Sequence, residues 1–237
     1  ALPPLKRRKP NAICESLIDS LPKDENPHPL RLEEAIENLH IVDAHQPLIP
    51  SNYYIYQNMS ASPLYIYTDG SASQGRAGYG VAAYYDIAHR IGFYTRARVI
   101  GEQTNNRAEL EAVVTTLQIL HTLGKPPAYI FSDSQYTVNG INRQSHPTTH
   151  RDLWSRAHSL MYADIECGWV RGHCNTFGNH VADYIAYQAL HLPIASSMTP
   201  ALRALHDVMT DIQSRSARRA RSGERADEHR PPKWPPP

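Results

Sequence analysis

Leu64–Ser73 reads LYIYTDGSAS, a run of β-branched and aromatic residues that breaks on a carboxylate followed by glycine. The first half has the composition of a buried strand, whereas Asp-Gly ordinarily marks a turn exposed to water. Whether Asp69 belongs to such a turn or is held at the carboxyl end of a buried strand decides how the rest of the chain is assembled. The answer depends on where other carboxylates fall.

Working outward, GYGVAAYY from Gly78 and RIGFYTRARVI from Arg90 read as two further strands, and short turns join the three into an antiparallel meander. The strand that opens at Leu64 is expected to run to Thr68. Leu110, Val113, Val114, Leu117 and Leu120 then recur at helical spacing behind a Thr104 N-cap, and GKPP at Gly124 ends that helix. AYIFSD, residues 128–133, is a second short apolar strand that stops on a carboxylate, Asp133. Beyond it the pattern predicts a helix from Ser134 to a loop at Gly140–Pro147, a helix over Arg151–Tyr162, a strand over Ile165–Val170 and a last helix over Gly178–Leu190. A meander followed by alternating strands and helices predicts an α/β fold: a five-stranded mixed sheet, antiparallel and then parallel, flanked by helices.

The flanks have another texture. Residues 1–62 are proline-rich and weakly patterned, with one helical spacing at Leu30–His40, and are expected to connect. Residues 63–191 make the domain. Residues 192–237 carry Arg215, Arg218, Arg219, Arg221 and Arg225 among prolines and lack apolar periodicity, the composition of a disordered, solvated tail. Such a tail is either an electrostatic arm for nucleic acid or a solubilising end.

Composition excludes several classes. The 237 residues carry a formal net charge of +1, so no global basic field declares a polyanionic partner. No apolar run approaches the ~20 residues of a membrane span, and KRRK at Lys6–Lys9 has no apolar stretch behind it, so neither a membrane partner nor a secretory signal is expected. Cys14, Cys167 and Cys174 are odd in number without a CxxC pair, which points to a reducing intracellular compartment, nucleus or cytoplasm. Cys167, His173, Cys174 and His180 lack the tight paired spacing of a structural zinc site.

Two acids at the ends of two strands lie where open α/β sheets bind ligands. A third, Glu109, falls in the first turns of the first long helix. A fourth, Asp183, lies on the last helix among Val181, Ala182, Ile185, Ala186 and Ala189, small or apolar neighbours that an ordinary surface acid does not have.

In order, YTDGS, NNRAEL, SDSQY, WVRGH and GNHVAD resemble the type 1 ribonuclease H family over Leu64–Leu190. The resemblance implies a ribonuclease H-like fold, with Asp69, Glu109, Asp133 and Asp183 as catalytic metal ligands and His173 as an accessory catalytic residue that shuttles a proton or helps release product. It places Ser71, Thr104, Asn105, Asn106 and Gln135 against the nucleic acid. The implied reaction is endonucleolytic hydrolysis of the RNA strand of an RNA–DNA hybrid, leaving a 5′-phosphate and a 3′-hydroxyl. The implied cofactor is a pair of Mg²⁺ ions, with Mn²⁺ as a substitute.

The chemistry agrees with the residue types. Hydrolysis of a phosphodiester needs an activated water, relief of phosphate charge and support for the leaving oxygen, which two metal ions supply together. Magnesium prefers hard oxygen ligands. Four carboxylates converging without cations would repel one another and raise at least one pKa. Short amide and hydroxyl side chains suit the minor-groove edges and 2′-hydroxyls that distinguish RNA from DNA.

One departure stands out. Many cellular members carry a long basic, tryptophan-bearing helix after the third carboxylate; here NGINRQSHPTTHRDLW from Asn139 is short and not lysine-rich. The chain thus resembles the ribonuclease H domains of reverse-transcribing elements, and the expectation is a piece of a non-LTR-like retrotransposon polyprotein with a linked reverse transcriptase as partner. Two rivals remain: a catalytically silent interaction module in a ribonucleoprotein, and a transposase or resolvase nuclease of related fold.

Overall fold

The computed structural model describes residues 17–23, 29–37, 39–41, 63–172 and 176–193. The expectations for the tail, and for His173 and Cys174, lie outside the described residues. In chain order the elements are α1 (Pro29–Glu37), β1 (Leu39–Ile41), β2 (Leu64–Ser73), β3 (Arg76–Asp86), β4 (Ile91–Arg98), α2 (Asn105–Thr122), β5 (Ala128–Ser132), α3 (Gln135–Ile141), α4 (Arg151–Leu160), β6 (Ile165–Trp169) and α5 (Phe177–Ala189). Among the described residues, no helix is long and apolar enough to cross a membrane.

The strands form one sheet in the order β1-β4-β3-β2-β5-β6. β2, β3 and β4 are the antiparallel meander, and β5 and β6 add parallel to β2. Those five strands match the expected mixed sheet. The sixth, β1, was not expected: part of the segment read as a connector pairs in parallel with β4, Leu39 opposite Gly92 and Ile41 opposite Tyr94. Three residues are too few for alternation to show in a sequence, and what selects them is the open edge of β4, whose unpaired N–H and C=O groups take a partner.

The opening stretch also corrects its expectation. β2 does not stop at Thr68 but continues through Asp69 and Gly70 to Ser73, each residue paired with β3. The turn comes later, at Gln74 and Gly75, whose φ values of 51° and 71° are those of a two-residue hairpin with a primed turn. Asp69 is therefore an interior strand residue opposite Gly80.

Alternation along the sheet builds two cores. Leu64, Ile66, Val81, Ala83 and Phe93 bury one face with Leu110, Val113, Leu117 and Leu120 of α2. On the other face Tyr67, Ala82, Tyr84 and Phe131 pack with Phe177, Val181 and Ile185 of α5. The amino-terminal segment joins this second core: Leu21 is buried within it, the Phe177 N–H donates to the Pro22 carbonyl at 3.3 Å, and Lys23 bridges Thr176. Farther along α5, the Tyr184 hydroxyl donates to the Glu33 carboxylate at 3.2 Å.

Candidate active site

Four elements deliver four carboxylates to one cleft. Asp69 comes from mid-β2 and Asp133 from the first position beyond β5, the strand beside it. Odd-numbered residues of β2 face α5, so Asp69 points to the α5 side along with Tyr67. Glu109 belongs to α2, across the sheet, and reaches the same point because Gly70 has no side chain: a β-carbon there would lie 2.4 Å from the Glu109 backbone nitrogen. α5 comes equally close on its own side. A β-carbon on Gly80, the cross-strand partner of Asp69, would lie 2.6 Å from the Ala182 carbonyl oxygen, which sets the neighbouring Asp183 beside Asp69. Two missing side chains thus hold two helices flush against the sheet where the acids meet.

The cleft has a volume of about 410 Å³ and is lined by Asp69, Gly70, Ser71, Ala72, Asn105, Glu109, Asp133, Ser134 and Asp183. Carboxylate oxygens of Asp69, Glu109 and Asp133 all lie within 4.8 Å of one another. Asp69 and Glu109 are only 6% and 4% exposed, while Asp133 and Asp183 are half-buried. Burial, and then the charges of Asp133 and Asp183, push the Asp69 carboxyl well above the usual carboxylate range. Burial, and then the charges of Asp69 and Asp133, do the same to Glu109. Acids packed in this way cannot all ionise in a dry protein.

The surrounding hydrogen bonds fix Asp69, Glu109 and Asp133. The Gly70 N–H donates to Asp69 Oδ1 at 2.7 Å, and Ser132 Oγ donates to Glu109 Oε2 at 3.5 Å while accepting from the Ser134 N–H at 3.1 Å. The Asn179 amide donates to Asp133 Oδ2 at 3.3 Å. A donor set of carboxylate oxygens alone, crowded enough to resist ionisation, suits a hard divalent cation, whose charge removes the conflict.

Of the residues placed against nucleic acid by resemblance, Ser71 and Asn105 line the cleft itself. Asn106 and Gln135 are exposed at the amino-terminal ends of α2 and α3. Thr104 is the N-cap of α2, its hydroxyl accepting from the Arg107 N–H at 3.4 Å. Asn179 stands four residues before Asp183 and so shares its helix face, the one sequence signal that could single it out. Trp169 and Gly172 lie inside the WVRGH motif, of which only the histidine carries an expected role.

Comparison with known proteins gives concordant matches. The family model described as RNase H matches residues 61–191. The ribonuclease H of Cyanothece sp. is 30% identical over 167 residues, covering 63% of this chain and 100% of that protein. Among solved structures, the amino-terminal RNase H domain of a Mycobacterium tuberculosis protein is 25% identical with a TM-score of 0.48, over 55% of this chain and 95% of that one. LC11-RNase H1, solved in complex with an RNA/DNA hybrid, is 23% identical with a TM-score of 0.46, over 54% and 96% of the two chains.

Proposed function

Since the chain belongs to the ribonuclease H family, we propose that it hydrolyses the RNA strand of RNA–DNA hybrids internally, leaving 5′-phosphate and 3′-hydroxyl ends. The observation that carries this reading is the convergence of Asp69, Glu109 and Asp133, from a strand, a helix and a strand end, within 4.8 Å of one another, in a cleft that Asp183 also lines.

Asp69, Glu109, Asp133 and Asp183 would hold two Mg²⁺ ions, with Mn²⁺ as a substitute. Bound there, the ions would supply an activated water and neutralise charge on the phosphate and leaving oxygen. Asp69, which both Asp133 and Asp183 crowd, would be the central ligand of the set. The chain's own part is to place and orient. Ser71 and Asn105, on the cleft wall, lie within reach of a ribose hydroxyl beside the scissile phosphate, and Asn106 and Gln135 extend that polar surface outward to the groove. His173 is assigned the accessory proton-handling role.

The retroelement setting is proposed on narrower ground. Asn139–Trp154 offers only Arg143 and Arg151 as permanent cations, so the hybrid must be gripped elsewhere, by the arginines of residues 215–225 or by a linked reverse transcriptase.

The test is incubation of the purified chain with end-labelled RNA–DNA hybrid, duplex RNA and duplex DNA, with Mg²⁺ or with EDTA. Cleavage confined to the RNA of the hybrid, and abolished by EDTA, is expected. An intact hybrid at every enzyme concentration with Mg²⁺ would overturn the reading.

A further inference from the structure

We propose that Trp169 is a positioning residue for Asp133, holding its main chain so that the carboxylate meets the cluster in one orientation; the inference rests on the reading of Asp133 as a metal-holding residue.

The geometry begins with where β5 ends. The ladder with β6 closes at the pair Ser132–Trp169, and the Val170 N–H still donates to the Ser132 carbonyl at 3.0 Å. Asp133 is the next residue, so its carbonyl is past the end of the ladder. A side chain supplies the missing donor: the Trp169 indole Nε1–H reaches the Asp133 carbonyl oxygen at 2.9 Å. Indole is a donor only, on a rigid ring with two side-chain torsions, so this bond fixes the backbone more firmly than a flexible donor would.

Two further contacts bracket the other end of Asp133. A β-carbon on Gly172 would fall 2.6 Å from Asp133 Oδ2, so that oxygen occupies the space a side chain would take. The Asn179 amide holds the same oxygen at 3.3 Å. The exit of β6, from Trp169 to Gly172, therefore wraps Asp133 at its carbonyl and at its carboxylate. Packing does not explain the tryptophan, because the residue is 40% exposed and leaves much apolar surface in water. The hydrogen bond does.

The test compares the wild-type chain with Trp169→Phe, which keeps a ring and loses the donor, and Trp169→His, which keeps a ring N–H. Four quantities are read: hybrid cleavage against Mg²⁺ concentration, Mn²⁺ binding by calorimetry, hybrid affinity in EDTA, and Tm. Outer-shell partners of metal ligands typically alter metal affinity by 10–100-fold. Trp169→Phe is expected to raise the half-saturating metal concentration roughly tenfold in both titrations, with hybrid affinity unchanged, and Trp169→His to recover part of the loss. Wild-type metal dependence in Trp169→Phe would overturn the inference, and so would weaker hybrid binding with unchanged metal dependence, which would make the ring a substrate contact. If Trp169→Phe does not fold, Trp169→His decides: metal binding near wild type supports the inference, and metal binding as weak as in Asp133→Asn overturns it. A wild-type chain that leaves hybrids intact, yet shows the calorimetric shift on Trp169→Phe, would instead remove the proposed function and keep the positioning role.

Discussion

A β-carbon placed on Gly70 would lie 2.4 Å from the backbone nitrogen of Glu109, a separation that atoms do not tolerate. Helix α2 is therefore seated directly on strand β2, and the buried Glu109 carboxyl joins Asp69 only because of that seat. Gly70→Ala should force the helix outward, with a cost of roughly 1–3 kcal/mol in stability from overpacking. Turnover on hybrid should fall at least tenfold, since displacing Glu109 removes more than about 1.4 kcal/mol of transition-state stabilisation. Thermal unfolding and a single-turnover assay on the same preparation check both effects; a variant with wild-type turnover would show that Glu109 does not need this approach.

Asp69→Asn and Asp133→Asn separate function from folding. Each removes a carboxylate from the cluster and should forfeit several kcal/mol at the transition state, about 10³-fold in rate. Neither should unfold the protein. Asp69→Asn should stabilise the metal-free form at neutral pH, because it takes a charge out of a buried site where Asp133 and Asp183 already oppose ionisation; an increase in Tm of a few degrees is expected for about 1 kcal/mol. A dead variant with raised Tm is the signature. A dead variant with collapsed circular dichroism would instead assign Asp69 a structural task.

The same crowding fixes the pH dependence of the metal-free protein. Asp69 and Glu109 are raised above the carboxylate range in the folded state, whereas in the unfolded chain they titrate near pH 4. Between the unfolded and folded values the native state binds more protons than the unfolded state, so stability falls as pH rises through that window. In EDTA, the midpoint of urea unfolding should drop steadily above about pH 4, once the contributions of other groups are subtracted with the Asp69→Asn variant as reference. Saturating Mg²⁺ should flatten the difference, because a bound cation favours the ionised acids. A stabilisation by Mg²⁺ that did not grow with pH would contradict the assignment of this cluster as the metal site.

Much of this architecture is legible in the chain. The apolar spacing of Leu110 to Leu120 and the two strands that approach a carboxylate, one at Asp69 and one at Asp133, lead to the order of strands and helices that the structure shows. The five motifs point to the acids that the structure brings into one cleft. What is not legible is tertiary. An Asp-Gly pair reads as a turn because local propensity cannot tell a glycine that frees the backbone from one that makes room for a helix; in Gly70 the second role applies, and the turn sits at Gln74-Gly75. Trp169 and Gly172 escape notice for the same reason, since their effect on Asp133 passes between neighbouring strands. β1 is too short to carry a pattern, and its place is set by the edge of β4.

The amino-terminal segment packs against α5. The RNase H match begins at residue 61, yet Leu21 is 5% exposed among Phe177, Val181 and Ile185, and the Pro22 carbonyl receives the Phe177 N–H. These contacts tie down the first turn of α5, the helix that carries both Asn179 and Asp183. Leu21→Ala should cost about 2–5 kcal/mol, as buried leucines do. A chain beginning at Ser60 should lose at least as much and expose the edge of β4 that β1 otherwise covers, inviting self-association. If the segment acts on α5 as well as on stability, turnover at a temperature where the shortened chain is still folded should fall, with half-saturating Mg²⁺ raised because Asp183 is less well held. Equal Tm and equal metal dependence in the full and shortened chains would show residues 17–41 to be passengers on the domain.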